Sequence, residues 1–331
     1  GAGLIKLRGD PCWRDLTCLV YHYETQPNPN PLAWLLHQAP PWFHALGVLV
    51  NHAVELVAPL FAFGPRRARR VAGCAMIAFQ LVLIASGNLS FLNWLTIVPA
   101  IACLDDDLLA RALPRRLVDH AREVAAAAVE TTPQRYAAIT LAVVVGFLSV
   151  GPIDNLLSSH QAMNRGFEPF DLVNTYGAFG SVGRVRHEVI LEGTRDREVT
   201  ASTKWLEYEL PCEPGDVTRR PCVVTPYHLR LDWQMWFAGF STPEQEPWVV
   251  ELAAKLLAGD RPVRGLFAVD PFPDQPPRFV RAELYRYEFT RIGDGSHAWW
   301  RRARVGPYLP PLSLGDPTTR AFLEDAGLTP P

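Results

Sequence analysis

The side chains best suited to chemistry gather near the start of the chain: Lys6, His22, Glu24, His44, Asn51, His52 and Glu55. A lysine whose burial lowers its pKa serves as a base or nucleophile, and His and Glu titrate near neutral pH when perturbed. On a helical wheel His44, Asn51 and Glu55 share one face, with His52 beside it. Three arrangements fit that set. The residues glue their helix to neighbours through Gln80 or Asn93, they line a polar cavity joined by Lys6 and His22, or His44, His52 and Glu55 bind a metal. The first is the expectation, and a membrane enzyme working through Lys6, His22, His52 and Glu55 is the alternative. His22 and Glu24 read first as polar groups bonded to backbone in a turn.

Cysteines and missing motifs narrow the chemistry. Cys12, Cys18, Cys212 and Cys222 allow three pairings. Short closures cost least chain entropy, so Cys12–Cys18 and Cys212–Cys222 are expected. Cys74 and Cys103 fall in apolar runs as packing residues. Asp105-Asp106-Asp107 reads as a solvated helix start favourable to the dipole, not a metal site. There is no G-x-S-x-G elbow, P-loop, G-x-G-x-x-G after a strand or H-E-x-x-H, so the chain is not itself a lipase on motif evidence. No cofactor and no metal is implied. A net charge of −2 gives no case for nucleic acid as a partner.

The elements that must position these residues divide at about residue 154. Before it, apolar runs at 42–63, 71–87, 89–104 and 136–153 approach the ~20 residues needed to cross a bilayer, giving an α-helical bundle of about four spans in contact with membrane lipid. Arg66, Arg67, Arg69 and Arg70 lie between the first two runs, and Arg111, Arg115, Arg116, Arg122 and Arg135 between the last two. By the positive-inside rule loops 64–70 and 105–135 are cytoplasmic, which places 1–41, the 87–90 turn and the chain beyond 154 on the other side. All four candidate disulfide cysteines then sit where disulfides persist. The opening GAGLIKLRG reads as the end of a preceding helix, so an N-terminal truncation is expected. Prolines in 8–41 predict an extended path over the membrane surface, with Trp13, Trp34 and Trp42 as interfacial anchors. Asn88-Leu89-Ser90 fits the glycosylation pattern but lies in a turn flush with the bilayer, and is expected unused.

After a connector at 154–184 the pattern changes to strands at 185–192, 205–210, 279–290 and 298–305, with helices at 226–240 and about 243–258. An α+β or β-sandwich-like domain over 185–305 is expected, followed by a partly ordered Pro-rich tail at 306–331. Thr225-Pro226 reads as the N-cap and first turn of the first helix. Its wheel places Leu229, Trp233, Trp236, Phe237 and Phe240 on one apolar stripe, expected to pack on Trp248, Leu252 and Leu256 of the second.

The wording of several blocks goes further. YELPCEPGD and PYHLRLDWQMWFA in the later domain resemble the C-terminal domain of the lipase maturation factor family. GDPCWRDLTCLVYHYETQPNPNPLAW at 9–34, SGNLSFLNWLTI at 86–97 and DLVNTYGAFGSV at 171–182 are similar to the same family, in order along the chain. The resemblance implies a multi-pass membrane protein of the secretory pathway that helps secreted lipases fold and assemble. It would lie in the endoplasmic reticulum membrane of a eukaryote, or the inner membrane of a bacterium. Arg219, Arg220, Arg230, Trp233, Trp236 and Phe237 would then form the surface for a lipase-type client, aromatic and Arg residues being the usual interface anchors.

Overall fold

The computed structural model describes residues 1–129, 131–162, 165–174 and 177–325. The chain divides into two units. The first comprises Gly1–Leu19, Pro41–Leu81 and Leu95–Val182, and the second Val20–Pro40, Val82–Trp94 and the chain from Gly183.

Apolar helices make up most of the first unit. α1 (Ala2–Arg8) and α2 (Pro11–Arg14) lead to α3 (Cys18–Thr25), which passes into the second unit, as does α4 (Pro31–His37). α5 (Pro41–His52) continues through a π turn, Ala53–Val57, and a 3-10 turn, Ala58–Phe63. α6 runs Arg66–Ser86, α7 Leu92–Ile101, α8 Asp106–Ala112, α9 Arg115–Ala127, α10 Thr132–Leu148 and α11 Val150–Leu157. Among the described residues three stretches are long and apolar enough to cross a bilayer: Pro41–Phe63, Arg66–Ser86 and Thr132–Leu157. Their apolar side chains point outward, with Phe63 98% and Phe147 77% exposed. Such surface is tolerable in lipid and unfavourable in water. The expected third span corresponds to a helix of only 10 residues, α7, with Pro99 inside it. Residues 90–91 form a turn and the helix stops at Ile101, so the run 89–104 does not form one continuous helix, and Pro99 deprives α7 of one internal donor.

The second unit is built on one antiparallel sheet of four strands, ordered β2-β1-β3-β4. β1 is Arg186–Thr194, β2 Leu206–Glu207, β3 Phe279–Phe289 and β4 Trp300–Leu312. β1 pairs with β3 through Val189↔Leu284, and β3 with β4 through Tyr287↔Arg302. α12 (Arg230–Ala238) packs on β1, and α13 (Trp248–Leu257) on β3 and β4. They bury Val189, Leu191, Met235, Val249, Leu252, Leu256 and Val280 in one core. α14 (Arg261–Arg264) and α15 (Pro317–Asp325) complete the unit.

The sheet's other face carries Ile190, Tyr287, Phe289 and Trp300, covered by Trp34, Val217 and Trp299 from loops and from α4. An α+β arrangement is what the described residues show: one sheet with helices on one face and a loop layer on the other, rather than the two sheets of a sandwich. The 8–41 segment is mostly helical rather than extended. Trp34 donates to the Thr290 carbonyl at 3.0 Å and meets Trp299 edge-on at 5.0 Å. Trp13 is 3% exposed, so of the three expected interfacial anchors only Trp42 remains exposed. β4 continues through Leu312 into what read as tail, and residues 326–331 lie outside the described ones.

Candidate functional site

In the first unit the chemistry-bearing residues form a clamp. Lys6 Nζ lies 2.6 Å from Glu55 Oε1 and donates to Asn51 Oδ1 at 3.0 Å. The Asn51 amide donates on to Glu55 Oε2 at 3.3 Å, and the ammonium stands 4.9 Å from the Trp13 ring centre. Glu55 sits on the π turn, a local widening of the helix that often marks a functional position. Trp13 is placed by local chemistry. Asp10 accepts from the Cys12 amide at 2.9 Å to cap α2, the Trp13 indole donates to the Phe179 carbonyl at 2.8 Å, and Cys12 and Cys18 are joined in a disulfide. His52 Nε2 bonds the Trp13 carbonyl at 3.0 Å.

Three of the four candidate catalytic residues thus meet around Trp13. His22, 8% exposed, belongs to the second unit. The Lys6 side chain is enclosed by a carboxylate, an amide and an aromatic face. The arrangement is an ion-pair clamp between α1 and the π turn. Lys6 is the partner that Asn51 and Glu55 share. Among the described residues no three His, Cys, Asp or Glu groups stand close enough to hold a metal, so His44, His52 and Glu55 do not form that site. Removing one charge leaves the other uncompensated. Lys6→Met and Glu55→Gln should each lower the melting temperature in detergent more than the double variant does. A double variant as damaged as the worse single one would refute the clamp.

The second unit holds a buried polar hub on the loop-covered face. Arg186, 2% exposed, donates to the carbonyls of Glu24 (3.0 Å), Gln26 and Pro27 (2.9 Å). It also pairs with Glu188 and with Glu213 at 3.4 Å, and lies 5.5 Å from the Trp300 ring centre. Nothing in the sequence singled it out, because Arg186, Glu188 and Glu192 alternate along β1 as on a solvated strand face. The cover that buries them comes from far along the chain. Burial pushes the Glu213 carboxyl well above the usual glutamate range, reinforced by the neighbouring Glu188 carboxylate. Burial raises Glu188 as well, with Arg186 opposing. A raised folded-state pKa means the proton is held more tightly when folded. The stability it contributes is complete below the ordinary glutamate range and falls as pH rises through the folded-state value. Glu213→Gln, which fixes the neutral state, should therefore flatten the fall in stability between mildly acidic and alkaline pH. An unchanged pH profile would rule that out.

Glu24 is engaged too: its Oε2 accepts from the Phe289 amide at 2.7 Å and lies 3.6 Å from His37 Nε2, and burial raises its pKa. That bond is structural, not a general acid/base pair with His22.

Cys212 and Cys222 are joined, closing a loop tied down from several sides. Asp232 accepts from the amides of Cys212 (2.7 Å) and Glu213 (3.0 Å), and Tyr287 donates to the Gly215 carbonyl at 2.8 Å. Arg219 donates to the carbonyls of Leu210 (2.6 Å) and Glu213, bracing the loop from inside, and so is not available to a client. Arg220 and Arg230 are exposed.

Asn88 fastens the turn after α6 to this loop. Only 1% exposed, its amide nitrogen donates to the carbonyls of Asn28 and Cys222, both at 3.0 Å. Its oxygen accepts from the amides of Val224 (2.8 Å) and Thr225 (3.2 Å). A Cβ at Gly87 beside it would meet Gln26 Oε1, so the Gln26 side chain would have to shift.

α12 departs from its expected form. It opens at Arg230, not Pro226, because the Thr225 hydroxyl bonds the Ser90 carbonyl (3.2 Å) and the Trp94 indole (3.1 Å) instead of capping a helix. Its sheet-facing side is Asp232, Met235 and Ala238. Asp232 is buried because it holds the disulfide loop, a role its charge disguised. Gly239 lets the helix end approach β1, where a Cβ would overlap the His187 carbonyl. The aromatics gather beside that contact. Trp236 meets Phe237 at 4.8 Å and Phe240 at 4.9 Å, Trp233 meets Trp236 at 6.4 Å, and the Trp236 indole donates to the Thr25 carbonyl at 2.9 Å. Phe237 and Phe240 remain 40% and 63% exposed. α13 packs on the sheet rather than on this stripe.

Comparison with known proteins gives one answer in two parts. Residues 1–111 match the lipase maturation factor transmembrane domain, and residues 172–310 the lipase maturation factor C-terminal domain. The chain is 50% identical to lipase maturation factor 1 of Homo sapiens over 344 residues, covering 99% of this chain and 60% of that protein. It is 51% identical to lipase maturation factor 1 of Mus musculus, covering 96% of this chain and 58% of the relative. Against lipase maturation factor 2 of Gallus gallus it is 32% identical, covering 99% and 60%. The chain thus spans about three fifths of the length of the curated relatives it matches. No solved structure matches. Two family domains matched in sequence order, on a chain whose apolar helices precede a disulfide-closed sheet unit, make this a membrane protein that belongs to the lipase maturation factor family.

Proposed function

We propose that the protein is a membrane-anchored maturation factor for secreted lipases, holding immature clients on the aromatic end of α12 while they fold and assemble. The observation that carries the reading is the ring cluster of half-buried Trp233 and Trp236 with exposed Phe237 and Phe240, flanked by Arg230, on a unit matched to the family's C-terminal domain. Exposed contiguous aromatics on a well-packed unit suit binding of apolar surface, and an unfinished fold offers such surface. Trp236 is held rigid by its bond to Thr25, so little side-chain entropy is lost on contact.

Four membrane crossings fit the arginine asymmetry. α7 is short, yet Asp105 just beyond it pairs with Arg66 and Arg70 at the start of α6, while the run to α7 begins at the end of α6. The segment 87–104 therefore returns antiparallel to α6 across the same thickness. That topology puts Asn88, both disulfides and the sheet unit on the non-cytoplasmic side, the lumen of the endoplasmic reticulum in a eukaryotic cell.

The test is to express the chain with a secreted lipase in cells lacking their own maturation factor and to measure secreted lipase specific activity. Wild type should raise it. Phe237→Ser with Phe240→Ser, both exposed and so compatible with folding, should abolish the gain at equal protein level. Full rescue by the double variant would remove the aromatic surface from the mechanism.

A further inference from the structure

Between the membrane segments α7 and α10 lies a helix that nothing above employs. We propose that α9 is an interfacial helix, lying in the membrane surface on the arginine-rich side with its apolar arc in the acyl boundary and its arginines on anionic headgroups. The sequence is RRLVDHAREVAAA. At 100° per residue Leu117, Val118, Ala121, Val124 and Ala125 fall within an arc of about 120°. Arg115, Arg116, Asp119, His120, Arg122 and Glu123 fall in the remainder, together with the small Ala126 and Ala127. A strong apolar–polar division with modest overall hydrophobicity is the pattern of helices that lie on a bilayer rather than cross it.

What covers the apolar arc follows from the tethers at both ends. Upstream, Asp105 is held by Arg66 and Arg70, which open a candidate span, and Asp105 caps α8 by accepting from the Leu108 amide at 3.1 Å. Downstream, Thr131 and Gln134 form a capping box at the start of the next candidate span, Thr132–Leu157. Both ends of 105–131 are thus fixed at the level where helices enter the bilayer, on one side of it. A 13-residue helix is roughly 20 Å long and can lie in that plane between the two tethers. Leu117 and Val124 are 56% and 54% exposed, so the protein's own described residues leave the arc open. On α9 itself Arg115, Arg116 and Arg122 outnumber Asp119 and Glu123, and each basic residue near an anionic leaflet adds attraction.

The test uses the full chain in vesicles of mixed zwitterionic and anionic phospholipid, with Cys74→Ala and Cys103→Ala to remove the free thiols. An environment-sensitive dye is placed through Leu117→Cys, Val124→Cys, Asp119→Cys or Glu123→Cys, one at a time. Labels at 117 and 124 should emit at shorter wavelength and be quenched several-fold more by lipids carrying a quencher in the upper acyl chain than labels at 119 and 123. Equal quenching at all four positions overturns the proposal. So does a shielded label at 124 that lipid quenchers leave untouched, since the cover would then be protein. Loss of the contrast when anionic lipid is omitted supports the headgroup contact, and its full persistence overturns that part.

Discussion

Arg186→Leu is expected to destabilise the sheet unit by about 3–5 kcal/mol, enough to prevent its accumulation in folded form. The side chain is enclosed, and its donors serve three backbone carbonyls and two carboxylates that no water reaches. Leucine fills much of the volume but leaves Glu188 buried without its counter-charge and the carbonyls of Glu24, Gln26 and Pro27 without donors. Removing one partner of a buried network costs more than the network's own net contribution, because the desolvation of the remainder is no longer offset. Lysine should rescue poorly, since an ammonium cannot reproduce the planar fork that spans the disulfide loop and residues 24–27, the strap that covers this face of the sheet. Thermal unfolding of the full chain in detergent, followed by protease resistance of the sheet unit, would measure this. A midpoint within a degree or two of wild type would show that the hub does not hold the strap to β1.

Asn88→Ala should cost about 2–4 kcal/mol, because it orphans two buried carbonyls and two amides at once. The effect should be local first, freeing the 222–225 loop from the turn after α6 and exposing the Cys212–Cys222 disulfide to reductant before the sheet melts. Asn88→Asp should be nearly as damaging, as the carboxylate accepts from Val224 and Thr225 but cannot donate to Asn28 and Cys222. The same geometry bears on the glycosylation pattern. The amide nitrogen that would carry a glycan already uses both hydrogens and is enclosed. Wild type should show no mobility shift with a glycosidase acting at this position, and a shift would contradict the clasp.

Local periodicity carried much of the architecture. Alternation along 186–194 and 279–289 marked strands because it reports each residue's immediate pleat, and the apolar runs marked spans because lipid imposes composition directly. Long-range cover was not legible. Arg186, Glu188 and Asp232 look like solvated residues until strap, disulfide loop and sheet are stacked, and their burial depends on partners tens to hundreds of positions away. Lys6 and Glu55 were visible as reactive types, but only the fold shows that they neutralise each other. The wheel of α12 misplaced the core face because it weighted aromatic side chains over Met235 and Ala238. The helix packs its small and flexible residues against β1 and leaves the larger rings at the side. Thr225-Pro226 carried a legitimate start signal that tertiary bonds to Ser90 and Trp94 overrode.

The proposed hold on clients by the exposed aromatics at the end of α12 is measured by co-purification, in mild detergent, of an immature secreted lipase with the full chain. Wild type, Phe237→Ser with Phe240→Ser, and Lys6→Met with Glu55→Gln would be compared at equal amounts of folded protein. Capture by wild type and by the clamp variant, with loss in the aromatic variant, is the predicted result. Equal capture by the aromatic variant would contradict the account and move the client contact off α12.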